Sequence, residues 1–291
     1  MPQELKREEI LTAPVSEFVA KLENRWSQGH FLCVGLDPDY TEITEQYGLG
    51  QFEFNQKVVD ATYDLVCAYK PNSAFYVAEH RHGGMEALED TVHYIRRTYP
   101  GIPVILDAKI NDIGSTVKKY LQFVVFGVGA DAVTLNPYLG KEAMQSFLDA
   151  ADIGNIYLVK TSNPGAEEFQ DLPVGPEQIP LYQYIVKQIA TSWNDNGNCA
   201  VVVGATKPEE LGIVRGLIGD MPMLIPGLGK AQGGRPEDLR AAYNSRGTGI
   251  IANLSRSIIF PEIRKGEQLA DAVRREAITW HDAILNARIQ G

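Results

Sequence analysis

Cysteine is scarce in this chain: three in 291 residues, Cys33, Cys67 and Cys199, widely spaced and never in a C-x-x-C pair. An odd, dispersed set excludes a disulfide framework, and each thiol sits in or beside an apolar run (FLCVGL, DLVCAY, NCAVVVG). Buried reduced thiols in a reducing cytoplasm are therefore expected. Long hydrophobic runs are missing too: the longest, around FVVFGVGADAV, is interrupted by glycines and falls short of the ~18–20 residues that span a bilayer, so no membrane segment is read. The opening MPQELKREEILT alternates charge with isolated leucines, which predicts no secretory signal. Positive charge is in deficit, 27 Lys and Arg against 37 Asp and Glu, for a net −10 with five histidines counted neutral. Neutralising a nucleic acid takes clustered Lys and Arg, so a broad polyanion surface is excluded, while a small phosphorylated ligand held by a few local cations is not. Histidine offers no carboxylate pairing at ligand spacing; His80 and His82 read as exposed loop residues rather than a metal-binding strand pair, and no metal is expected.

The chain does have material for a sizeable core, with 44% apolar and 22% charged residues. Eight short Val/Ile/Leu-rich runs predict strands at 31–37, 65–70, 102–108, 131–136, 155–161, 199–204, 222–226 and 249–253. They lack strict alternation, as strands covered on both faces do in parallel sheets. Helix-like segments separate them: Phe54, Val58, Val59 and Thr62 follow helical spacing, as do Met85, Leu88, Val92 and Ile95. Thr206 with Glu209 predicts a capping box around Pro208. Val15, Phe18, Val19, Leu22 and Trp26 mark an N-terminal helix able to close one end of a barrel, and Leu269, Val273, Ala277, Trp280 and Ile284 mark a C-terminal one. No linker or composition shift divides the chain. The expectation is an α/β protein, one (β/α)8 TIM barrel over residues 1–291; a doubly wound sheet is disfavoured because the first strand runs into GLDPDY with no G-x-G-x-x-G.

In such a barrel the chemistry sits at the strand C-termini. Those ends carry Asp37, Lys70, Asp107 with Lys109, Asn136, Lys160 with Thr161, Gly204, Gly227, and Ser255 with Arg256. Ionisable groups there are costly unless paired or functional. In VILDAKINDIGST, Asp107 and Lys109 are two apart and face the same side, which predicts an ion pair. Asp112 either turns back to Lys109 or reaches a neighbouring subunit. In IPGLGKAQGGRPEDL, glycines 227, 229, 233 and 234 let backbone N–H groups approach an anion; Gln232 adds an amide and Arg256 a planar charged fork.

These stretches resemble the orotidine 5′-phosphate decarboxylases over nearly the whole chain: GLDPD, AYKPNSAFY, LDAKINDIGST, VKTSNPG, PGLGKAQGG and NLSRSI, in order, most like the longer bacterial subgroup. The resemblance implies that Asp37 binds ribose hydroxyls and that Lys70, Asp107, Lys109 and Asp112 from a second copy form an alternating charge array. It further implies that Thr161 or Ser162 contacts the pyrimidine, that Gln232 and Arg256 grip the phosphate beside Gly233, and that Thr116 reaches the ribose across a dimer interface. Where many members read K-R-G-D, this chain reads Lys109-Ile110-Asn111-Asp112, which keeps spacing and charge and leaves the turn geometry open.

Decarboxylation at C6 leaves a vinyl carbanion that must be stabilised electrostatically and protonated, and Lys109 suits both tasks without a cofactor. Three other readings stay open: a Mg2+-dependent sugar-phosphate decarboxylase or synthase of the same superfamily, Schiff-base chemistry at Lys109 or Lys160, and a non-catalytic phosphonucleotide-binding protein. The turn-rich insertion after the fifth strand, 162–180, is either a lid or a decorated loop; unchanged hydrogen exchange on adding a UMP analogue would count against the lid.

Overall fold

A computed structural model describes residues 16–229 and 232–289. Val15, Lys230 and Ala231, named above, lie outside them. Among the described residues there are ten strands: β1 Leu32–Leu36, β2 Val66–Pro71, β3 Ile105–Ile110, β4 Ala132–Leu135, β5 Gly154–Lys160, β6 Pro173–Val174, β7 Ile179–Pro180, β8 Cys199–Val203, β9 Met223–Ile225 and β10 Ile250–Leu254. Eight of them form one parallel sheet in the order β2-β1-β10-β9-β8-β5-β4-β3, and parallel bridges Tyr69–Val104 and Asn72–Asp107 join its two edges. The eight expected strands and the TIM-barrel architecture are thus found. The antiparallel pair β6–β7 lies in the 162–180 insertion and was not expected.

Burial explains the absence of alternation: all five residues of β1, β8 and β10 are buried, one face lining the barrel and the other lying under helices. The three cysteines are free and buried as expected. Burial pushes the Cys33 and Cys199 thiols up to about 12, which keeps both protonated at neutral pH.

The N-terminal helix Glu17–Ser27 is capped by Ser16, whose hydroxyl accepts the Val19 N–H at 3.3 Å. Phe18, Leu22 and Trp26 form its buried stripe. It covers the N-terminal ends of the strands: Lys21 pairs with Asp131 ahead of β4 at 2.7 Å, and the Arg25 guanidinium donates to the Val66 carbonyl at the start of β2. Phe18 lies so close to Gly154 that a Cβ there would sit 2.2 Å from its ring. The C-terminal helix Leu269–Ile289 packs on helix Gln51–Thr62 and on a 3-10 turn, Pro236–Ala242, which stands in place of a full helix between β9 and β10.

The capping box around Pro208 does not form. Helix Pro208–Ile218 begins with proline at its first position, which makes Lys207 the cap residue, and Lys207 makes no side-chain cap bond.

Candidate active site

Register slips by one residue between β1 and β2 and between β5 and β8, but β3 departs furthest from regular pairing. Its pairing with β4 runs Leu106 opposite Val133 and then Ile110 opposite Leu135, so four steps on β3 face two on β4. Within this bulge Lys109 takes φ +48°, a left-handed conformation that costs a non-glycine residue ~1–3 kcal/mol. The expected ion pair is present, Lys109 Nζ to Asp107 Oδ1 at 2.6 Å, but a bulge rather than strand alternation brings the two together. Asp107 Oδ2 accepts from Lys70 Nζ at 2.8 Å. One carboxylate therefore bridges two ammonium groups.

Lys70 and Asp107 are buried, whereas the Lys109 side chain is 52% exposed and faces the cavity mouth. Burial opposes charge on Lys70, but the Asp107 and Asp37 carboxylates outweigh it and hold the ammonium above its ordinary range. Burial likewise opposes the Asp107 carboxylate, and Lys70 with Lys109 overcomes it, holding the group well below the usual carboxylate range. Both charges persist at neutral pH.

Two adjoining hollows open on this array and share Lys70, Asp107 and Pro226. The first, about 230 Å³, is also lined by Lys109, Thr134, Thr161 and Ser162. The second, about 350 Å³, is lined by Asp37, Asn72, Gln232, Asn253, Ser255 and Arg256 among others. Close backbone approach builds both walls: a Cβ on Gly204 would lie 2.8 Å from Ser162 Cβ, and one on Gly35 would lie 1.9 Å from Ser255 Oγ. Larger hollows, such as one of about 670 Å³ beside Arg96 and Phe126, lie on the outer helices away from these charges.

Most of the expected site residues converge here. Asp37 lines the larger hollow, and its Oδ1 is buried without a hydrogen-bond partner, an acceptor with capacity to spare. Arg256 lines the second hollow while its Nη2 donates to Glu42 at 2.7 Å and its guanidinium stacks on Phe260. Thr161 is held from behind, its N–H donating to Gln170 Oε1 at 2.9 Å.

Other expected residues are placed differently. Asp112 accepts from the Ile113 N–H at 2.8 Å and, among the described residues, makes no ion pair with Lys109, so it does not turn back within the chain. Thr116 is exposed in the first turn of helix Gly114–Gln122. The glycine loop after β9 closes on itself: the N–H groups of Gly229, Gly233 and Gly234 donate to the carbonyls of Gly234, Gly229 and Gly227. Those groups are therefore not free for an anion, and Gly233, with φ +94°, supplies the turn that presents Gln232. Asn136 caps a 3-10 turn through Tyr138 N–H, and Lys160 pairs with Asp171 and Glu210 outside both hollows.

Sequence reasoning missed Thr134, Asn72 and Asn253. Asn253 is a polar residue inside an apolar strand run, and that interruption was the available signal.

A family model described as orotidine 5′-phosphate decarboxylase / HUMPS family matches residues 30–265. An orotidine 5′-phosphate decarboxylase of Cellvibrio japonicus is 43% identical over 278 residues, covering 93% of this chain and 99% of the relative. One of Azoarcus sp. is 43% identical over 273 residues, covering 92% and 98%. Among solved structures, the Leishmania donovani OMP decarboxylase superposes with TM-score 0.79 at 31% identity, covering 94% of this chain and 98% of its own.

Proposed function

We infer the chemistry from the family to which this chain belongs, orotidine 5′-phosphate decarboxylase / HUMPS: it is a carboxy-lyase that converts orotidine 5′-phosphate to UMP and CO2 in pyrimidine biosynthesis. The observation that carries the mechanism is the Lys70–Asp107–Lys109 array at the cavity mouth. With the pyrimidine in the 230 Å³ hollow beside Thr161 and Ser162, C6 sits against Lys109. The C6–carboxylate bond breaks, CO2 leaves with its carbon, and the electron pair remains on C6. Lys109 Nζ stabilises that charge at contact distance and then donates a proton to it; the neutral amine recovers its proton from solvent. Asp107 holds Lys109 in place and faces the substrate carboxylate, a like-charge contact that is relieved as CO2 departs.

The second hollow takes the ribose phosphate. Asp37, with its unpaired oxygen, accepts from the ribose hydroxyls, and Gln232 and Arg256 bind the phosphate. Asp112 and Thr116 complete the site from a second copy of the chain, in a homodimer with shared sites. Supporting this, Asp112 does not pair with Lys109 in its own chain, and Ile113, Tyr120, Tyr138 and Leu139 are exposed apolar residues on the adjoining elements. The described residues work as one barrel domain, in line with the single-domain expectation. Its free buried thiols fit the cytoplasm, and no helix among the described residues is long and apolar enough to cross a membrane.

The test follows the ultraviolet change from orotidine 5′-phosphate to UMP in the presence of EDTA. Turnover is expected to persist, to vanish in Lys109→Ala, and to return when Lys109→Ala is mixed with Asp112→Asn, because one hybrid site then holds both native residues. Loss of turnover in EDTA overturns the metal-free mechanism, and no recovery on mixing overturns the shared site.

A further inference from the structure

β4 reads Ala132-Val133-Thr134-Leu135, buried at every position, with Thr134 only 1% exposed. Its hydroxyl accepts two backbone N–H groups, from Ala108 at 3.0 Å and Lys109 at 2.9 Å, and donates to Asp107 Oδ1 at 2.9 Å. A threonine hydroxyl has one proton and two lone pairs, so its capacity is fully used. Although Thr134 lines the smaller hollow, nothing on its hydroxyl is left for a ligand.

All three bonds fall on the β3 bulge. Ala108 and Lys109 lie where the β3–β4 ladder skips, so their N–H groups have no regular carbonyl partner across it. Lys109 occupies its left-handed conformation there, and Asp107 Oδ1 is the same oxygen that accepts from Lys109 Nζ. One side chain thus satisfies the donors that the bulge exposes, offsets its backbone strain, and fixes the carboxylate that aims the ammonium.

We propose that Thr134 is a positioning residue for the decarboxylation, holding the β3 bulge and Asp107 so that the Lys109 ammonium meets C6. The proposal rests on the reading of Lys109 as the proton donor. Without the hydroxyl, two buried N–H groups lose their acceptor and the bulge relaxes toward a regular strand, which re-aims Lys109 while the ribose and phosphate contacts on β1, β10 and the β9 loop stay in place.

Thr134→Val, which keeps the shape, is expected to lower kcat about 10²-fold, the effect of a misplacement near 1 Å, with KM and the UMP Kd within about threefold of the parent. Thr134→Ser, which restores the hydroxyl, is expected to return kcat to within about tenfold. Lys109→Ala is measured alongside. A Thr134→Val kcat within about threefold of the parent, with Lys109→Ala inactive, overturns the positioning role alone. Loss of UMP binding in Thr134→Val with no rescue in Thr134→Ser makes Thr134 a packing residue and also overturns it. Turnover that survives in Lys109→Ala overturns the reading of Lys109, and the proposal with it.

Discussion

Two ion pairs of nearly equal length stand on the same rim and are expected to differ several-fold in energy. Lys70–Asp107 spans 2.8 Å with side chains 5% and 11% exposed, and Arg256–Glu42 spans 2.7 Å with side chains 61% and 24% exposed. At such a distance the Coulomb attraction is ~1.5 kcal/mol in water-like surroundings and ~6 kcal/mol at an effective dielectric constant near 20, before desolvation is subtracted. An exposed pair nets ~0.2–1 kcal/mol, while deleting one partner of a buried pair costs ~3–5 kcal/mol because the other charge is stranded. Asp107→Asn strands the buried Lys70, with the Asp37 carboxylate as its remaining charged neighbour, and leaves the half-exposed Lys109 without its carboxylate. Glu42→Gln leaves Arg256 in water and free to meet a phosphate. Denaturant unfolding at neutral pH is therefore expected to show a loss of ~3–5 kcal/mol for Asp107→Asn, little changed by salt, and at most ~1 kcal/mol for Glu42→Gln, fading in high salt. Because ~1 kcal/mol is about a fivefold factor, kcat/KM of Glu42→Gln stays within about fivefold of the parent. Equal losses in the two variants, or a larger one in Glu42→Gln, would refute the premise that burial rather than length sets these energies.

Arg215 is buried and donates to four backbone carbonyls, Ala242 and Gly219 at 2.6 and 2.7 Å and Met221 and Gly249 both at 2.8 Å, tying helix Pro208–Ile218 to the starts of β9 and β10. Each acceptor stranded by Arg215→Met costs ~1–3 kcal/mol, so a loss above ~3 kcal/mol in unfolding free energy is expected, and one below ~1 kcal/mol would sink the staple. His30 is pushed down to about 4 by burial, with Arg25 and the facing His281 adding to the effect and Asp64 opposing it. The unfolded chain then binds the extra proton between about 6.5 and about 4, so stability is lost as pH falls through that window. His30→Gln should flatten the fall in melting temperature from pH 7 to pH 5, and an unchanged slope would clear His30. Lys160, 2% exposed, holds Asp171 of the 162–180 insertion at 2.5 Å. Asp171→Asn removes a charged bond worth ~1.5–3 kcal/mol, so amide exchange across 162–180 should rise while β5 stays protected; unaltered exchange would mean that the insertion is held elsewhere.

The barrel was legible because its strands are covered on both faces: near-continuous apolar runs carry a signal that survives without alternation, and charged residues stand out where such runs stop. Asp37, Lys70, Asp107 and Lys109 were visible on that ground alone, and the structure gathers all four around two hollows. Thr134 was not visible because threonine is an ordinary strand residue and its partners lie 25 to 27 positions away, across a bulge that no local pattern announces. The glycines after β9 announced a turn correctly but not the use of their N–H groups, since a loop that folds back on itself and one that cradles an anion have the same composition.

Lys70 and Lys160 show what strand position alone leaves undecided. Both are buried lysines at the ends of parallel strands, each with a carboxylate in contact. They differ in where that carboxylate belongs. The partner of Lys70 is Asp107, which lines both hollows and passes the charge on to Lys109. The partners of Lys160 are Asp171 in the insertion and Glu210 on helix Pro208–Ile218, with the Tyr182 ring 5.2 Å away, and Lys160 lines neither hollow. A ligand carbonyl would meet Lys109 or Lys70 in the smaller hollow and Lys70 in the larger one, never Lys160, which removes Lys160 as a Schiff-base candidate and assigns its charge to the wall behind Thr161. Tracing each rim lysine to its carboxylate, and each carboxylate to the cavity or away from it, is what separates reacting charge from structural charge on a barrel whose strand ends carry both.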